Sequence, residues 1–200
     1  MNKIWKFLAK IYCELTLIGF NIAPHKKLFN QPKQKLDWKY SEDILADITF
    51  TAKERVNILA GIKDFEDFCN GMIKFSVRFE LEPTTLVSDN CSLLLRNAIA
   101  DPIVAMSDKN FKSQILGLCQ VTKSGARLIY LVHERLNNRT IWRTTTSHEF
   151  GHYVGMGHTD RPSIMHKLNY GNVLFPTYID AVEFARIFGC SPEDLKYFKL

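Results

Sequence analysis

Two histidines four residues apart, His148 and His152, share one face of any helix that carries them, and a third, His158, follows six residues later. Imidazoles one turn apart can reach the same metal ion. Glu149 comes directly after the first histidine, so it projects beside the metal and not onto it. Gly155 stands where such a helix would end, and glycine tolerates the left-handed conformation that turns a chain sharply. That turn can bring His158 back as a third ligand. Three nitrogen ligands leave the fourth corner of a tetrahedral zinc open to water, the arrangement of a catalytic site and not of a structural one. A bare H-E-x-x-H arises by accident. Requiring Gly155 and His158 as well cuts accidental matches by roughly three orders of magnitude at ordinary residue frequencies. The competing readings are a chance helix with surface histidines, and a site that binds metal without turnover.

These residues need a helix, a turn and something beneath them. Asn137, Asn138 and Thr140 supply helix-cap candidates upstream. Ile141, Thr145, His148 and His152 then fall on one face. Thr144, Thr145 and Thr146 are poor helix formers, so their place in a helix must come from packing. Further upstream, residues 44–50 read as a first strand. Thr51 and Glu54 have the capping-box spacing and open a helix over 52–69, with Val56, Leu59, Ile62 and Phe65 as its apolar side and Asn70-Gly71 as its stop. Ile73, Phe75, Val77 and Phe79 alternate with polar residues, as in a half-buried strand. Residues 84–97 leave room for a short helix. Further strands are expected over 98–106, 115–121 and 126–133, with a turn at 122–125. A last helix spans 178–188, stopped by Gly189, and Ser191-Pro192-Glu193-Asp194 caps a short final turn.

The chain has 200 residues, 46% apolar and 24% charged, the balance of one ordinary globular domain. Its net charge of +5 is unevenly placed: residues 1–40 hold eight lysines against Glu14 and Asp37, so the remainder is close to neutral. Nothing marks the main body as a nucleic-acid binder. The five cysteines are scattered, with no C-x-x-C pair, which argues against a disulfide framework and against a cysteine-based metal site. In residues 1–23, Lys3, Lys6, Lys10 and Glu14 share a helical face opposite Ile4, Phe7, Leu8, Ile11, Leu15 and Ile18. This amphipathic pattern suits peripheral contact with a membrane surface or a protein partner. Residues 15–23 would otherwise serve as the core of a weak secretory signal. Scattered cysteines lean towards the cytoplasm or a membrane surface, and the compartment stays open. Residues 24–41 read as a linker. The expected division is a basic segment over 1–40 and a monomeric globular domain over 41–200.

Ser163-Ile164-Met165 follows His158 closely. With the zinc-helix pattern and the order of elements, it resembles the Met-turn of the matrixin branch of the metzincins, a family of zinc metalloproteases. The likeness covers roughly residues 44–190 and is specific over 148–165. It implies an α+β fold: a mixed twisted sheet of about five strands, an upstream helix, a zinc-binding helix, a Met-turn and a C-terminal helix. It implies a zinc-dependent endopeptidase acting on a peptide or protein. One Zn2+ would be held by His148, His152 and His158, Glu149 would be the general base, and Met165 would pack beneath the metal. Leu116, Gly117 and Leu118 resemble the edge strand that pairs with extended substrate; their other reading is a plain core strand.

The chain departs from related patterns in several places. Lys167 stands where astacins carry a tyrosine, and Thr159 lacks their glutamate. Cys13 has no cysteine-switch context. His133 is alone, which leaves no second zinc site, and calcium loops are absent. His166 and Tyr170 lie near enough in sequence to help at the oxyanion but read better as surface or supporting residues, and Asp160 is placed to hydrogen-bond within the turn. The alternative to an enzyme is a catalytically silent zinc-binding module that recognises a partner or membrane through residues 1–23.

Overall fold

The structure, a computed structural model, describes residues 29, 30, 32, 36, 40–82, 93–98, 115–121, 127–168 and 173–199. Five strands form one mixed sheet: β1 (Tyr40–Asp47), β2 (Ile73–Leu81), β3 (Leu93–Ala98), β4 (Gly117–Val121) and β5 (Arg127–Val132). Their order across the sheet is β2-β1-β3-β5-β4. The first four in that order run parallel, and β4 lies antiparallel to β5 at the edge. Three helices complete the described elements: α1 (Ala52–Phe68), α2 (Arg139–Tyr153) and α3 (Tyr178–Phe188). This is the mixed α and β composition expected from the sequence.

Period-two alternation decides which side chains face the helices. Leu93 and Leu95 enter the main core with Ile44, Ile129 and Leu131, while Leu94 joins Leu81 and Leu128 in a small cluster on the opposite face. The main core is rich in phenylalanine. Phe75 and Phe150 meet edge to face at 4.7 Å, and Phe68 and Phe184 at 5.3 Å, so one aromatic cluster joins β2 and all three helices. Helices α1 and α2 approach backbone to backbone at Gly61, where an added Cβ would lie 2.7 Å from the Arg143 carbonyl oxygen. Beside that contact Arg143 forms a two-bond ion pair with Asp64 at 2.7 and 2.9 Å. Burial still outweighs the pull of Arg143 and holds the Asp64 carboxyl above its ordinary value.

The helix boundaries follow their caps. Thr51 and Glu54 close the expected capping box on α1, and Asn138 Oδ1 accepts the Ile141 N–H at the start of α2. Asn70 and Gly71 take positive φ after α1, and Gly189 does so after α3.

Three expectations need correction. Val56 and Leu59 are exposed, and the buried face of α1 is Ile58, Gly61, Ile62, Phe65 and Phe68. The true stripe follows threes and fours, whereas a run of threes drifts off the packed face. Leu93–Ala98 is a strand that occupies the end of the stretch that left room for a short helix and reaches the first residue of the strand expected over 98–106. Its run of three leucines gives no two-residue alternation because both of its faces are covered. The first strand begins at Tyr40, earlier than expected, and residues 48–50 already turn.

Phe29 bridges to Phe198, and Asn30 is buried with bonds to the Leu195 carbonyl and the Tyr197 N–H. Ordered contacts with the C-terminal corner therefore reach upstream of residue 40. A shallow cavity of about 530 Å³ lies at that corner, lined by Pro162, Tyr178, Ile179, Tyr197 and Phe198, and none of the three histidines lines it. The amphipathic pattern of residues 1–23, most of the expected strand over 98–106, the turn at 122–125 and Tyr170 fall outside the described residues. No helix among the described residues is long and apolar enough to cross a membrane.

Candidate metal centre

Helix α2 has two working faces. Phe150 and Tyr153 point into the aromatic core and fix the helix against β2, while His148 and His152 project from the other side. The helix ends at Tyr153 with Val154 as its cap, and Gly155 follows with φ of +95°. A side chain there would meet the left-handed penalty, so the glycine is required for the turn that returns His158. The returning strand is held in place: the Thr159 N–H donates to the Met165 carbonyl at 3.1 Å, and Thr159 bridges to His166.

The three imidazoles converge. His158 Nε2 lies 3.3 Å from His148 Nε2 and 3.0 Å from His152 Nε2. They are the one group of metal-ligating side chains among the described residues within mutual reach of one ion. The two helix histidines are oriented from behind. His148 Nδ1 donates to the Ile164 carbonyl at 2.7 Å, and His152 Nδ1 donates to the Met156 carbonyl at 2.9 Å. Each bond fixes the tautomer with the lone pair on Nε2. The lone pairs of both helix histidines thus face His158 Nε2 at 3.3 and 3.0 Å, within reach of one shared cation. Ligand nitrogens about 2.0–2.1 Å from a tetrahedral zinc are themselves about 3.3–3.4 Å apart. The donor set therefore fits such an ion. Burial opposes protonation of all three rings: it holds His148 down at about 3, helped by its neighbour His152, and it also lowers His152 and His158.

Beneath the histidines sits the loop Ser163-Ile164-Met165. Met165 is buried against α2 where Gly151 removes a side chain; a Cβ on Gly151 would overlap the Met165 sulfur. The loop is tied to α3 by Asp180. Its carboxylate accepts the Ser163 hydroxyl, the Ile164 N–H at 3.1 Å and the Thr177 N–H at 2.6 Å. The chain of contacts from Asp180 through Ile164 to His148 aims the first ring. Asp180 and Gly151 are absent from the sequence-derived set of site residues. The cap spacing of Thr177 and Asp180 was a visible signal for the first; a glycine inside a helix was one for the second.

Glu149 is fully enclosed on the flank of the site facing β4. Burial pushes its carboxyl up to about 8, against the opposing pull of a hydrogen bond from the Cys119 backbone. Its Oε2 is buried without a partner. A carboxyl poised near neutral pH beside a metal-ligand set can take up and return a proton. Gly117 and Leu118 lie on β4, and Leu116 immediately precedes it. The strand is at the sheet edge, so its outer backbone groups have no further strand to pair with. His133 begins a short 3₁₀ turn, His133–Arg135, after β5, as a strand-end residue would. Lys167 pairs with Asp160 at 3.2 Å and also helps to lower the His158 pKa. His166 Nδ1 accepts the Leu168 N–H. The Cys119 thiol, pushed up to about 12 by burial and by Glu149, is unsuited to ligate or attack. Cys69, Cys119 and Cys190 are not joined in disulfides. No protein-family model matches the chain, and no curated protein matches it.

Proposed function

We propose that the protein is a zinc-dependent endopeptidase of the metzincin type, closest in plan to matrixins. The observation that carries this reading is the convergence of His148, His152 and His158 Nε2 atoms beside a buried carboxylate with one unpartnered oxygen. Further support comes from the antiparallel edge strand that precedes the histidine helix, and from Met165 packed under that helix. When bound, zinc would supply a Lewis acid and acidify a coordinated water.

The chain's own residues do the rest. His148, His152 and His158 hold the ion and leave one corner to solvent or substrate. Glu149 accepts a proton through Oε2 and passes it to the departing amine. The free edge of β4, where the backbone groups of Gly117 face outward while those of Leu118 turn to β5, takes an extended peptide by strand addition. Burial of Glu149 against β4 keeps bulk water from fixing its protonation state.

Digesting a peptide library with the wild type and with Glu149→Gln tests this. The wild type is expected to cut peptides, and Glu149→Gln is expected to keep its zinc while losing cleavage by at least a hundredfold. Zinc bound by a wild type that cuts nothing would instead make the chain a silent metal-binding module.

A further inference from the structure

We propose that edge strand β4 aims the Glu149 carboxylate, with Gly117 as the principal positioning residue and the Cys119 backbone as its second hold. This deepens the endopeptidase reading and rests on it for its catalytic consequence, though not for its structural test. The contact is unusually close. A Cβ built on Gly117 would lie 2.7 Å from Glu149 Oε1, 2.8 Å from its Cγ and 3.0 Å from its Cδ. Side chains do not tolerate such distances, so the carboxylate lies directly against bare backbone. A side chain at 117 would force the enclosed Glu149 carboxylate to shift, a constraint set by that neighbour and not by a turn.

The second hold follows from the ladder. The Val132 N–H donates to the Leu116 carbonyl, which places the backbone groups of residue 116 towards β5. Alternation along an antiparallel strand then turns the groups of 117 and 119 to the free edge. The outward Cys119 N–H is the donor that Glu149 accepts. One carboxylate oxygen is thus pinned to β4, and Oε2 is left over with no partner, ready for the proton that the reaction moves. The strand that would seat an extended peptide also fixes the direction of the base, so seating and alignment share one element.

The test uses the full-length chain in two arms. In the first, unfolding midpoints are measured without metal for wild type, Gly117→Ala, Glu149→Ala and the double variant. Gly117→Ala is expected to lower the midpoint in the wild-type background and to leave it unchanged or higher when Glu149→Ala has removed Cγ, Cδ and both oxygens. An equal drop in both backgrounds would overturn the proposal, as would no drop in the wild-type background. In the second arm, the zinc-loaded Gly117→Ala protein is assayed on a peptide that the wild type cuts. The expected result is unchanged zinc content, KM within about twofold and kcat down at least tenfold. A raised KM with kcat preserved would make Gly117 part of the peptide seat alone and would also overturn it. If the wild type cuts no peptide, the endopeptidase reading falls while the first arm still decides the placement of Glu149.

Discussion

His148 and Glu149 are neighbours whose surroundings push them to opposite charge behaviour. The unfolded His148 side chain takes a proton near pH 6.5, and the folded one resists protonation down to about 3. Between these values the unfolded state binds the proton that the folded state refuses, so stability falls as pH drops below 6.5. Glu149 runs the other way: unfolded it releases its proton near 4.5, folded near 8. Its contribution is therefore lost as pH rises through that window. The two effects cancel between about pH 4.5 and 6.5, and the lowered His152 and His158 tilt that span so that the metal-free protein is most stable towards its upper end. Urea midpoints across pH 4–9 are expected to trace that dome, and zinc is expected to flatten its upper limb because a cation favours the ionised carboxylate. A second prediction at this scale concerns Gly151. Gly151→Ala forces its Cβ into the Met165 sulfur and should cost about 1–3 kcal/mol in denaturant titrations, with weaker zinc binding. The ligand spacing and Glu149 were legible because their roles depend on local helical geometry. The closeness of Gly117 to Glu149 was not, since it joins residues brought together only by the sheet.

At the scale of elements, α3 acts on a site it does not enter. Asp180 at its first turn gathers the Ser163 hydroxyl and the N–H groups of Ile164 and Thr177, and Ile164 in turn receives the His148 Nδ1–H. Asp180→Ala should strand these buried donors and cost about 2–5 kcal/mol. It should also weaken zinc affinity about 10- to 100-fold, the usual effect of losing the group that orients a ligand. Competition with a chelator measures the affinity, and affinity unchanged in a folded variant would refute the linkage. The helices were readable from the sequence because caps and glycine stops bracket them, as Thr51, Asn138 and Gly189 show. Strand β3 was not: Leu93, Leu94 and Leu95 are covered on both faces, so no polar alternation marks them.

At the scale of the molecule, the helices and the strands other than β3 were marked by pattern, while strand order was not, because pairing between distant strands leaves no local trace. The order found puts the antiparallel strand β4 at the edge next to α2. That placement sets a carboxylate, a free sheet edge and three convergent imidazoles on one side of the protein. A ligand that binds only the folded state stabilises it by mass action, by about 4 kcal/mol at a thousandfold excess over Kd. Zinc should therefore raise the unfolding midpoint, and a chelator should reverse the gain. The most direct measurement is metal content and X-ray absorption on the zinc-loaded full-length chain, with His158→Ala alongside. The predicted result is one zinc per wild-type chain, held by three imidazoles and one light, exchangeable ligand, with affinity collapsing in the variant. No retained zinc, or a fourth ligand from the protein that does not exchange, would contradict the account.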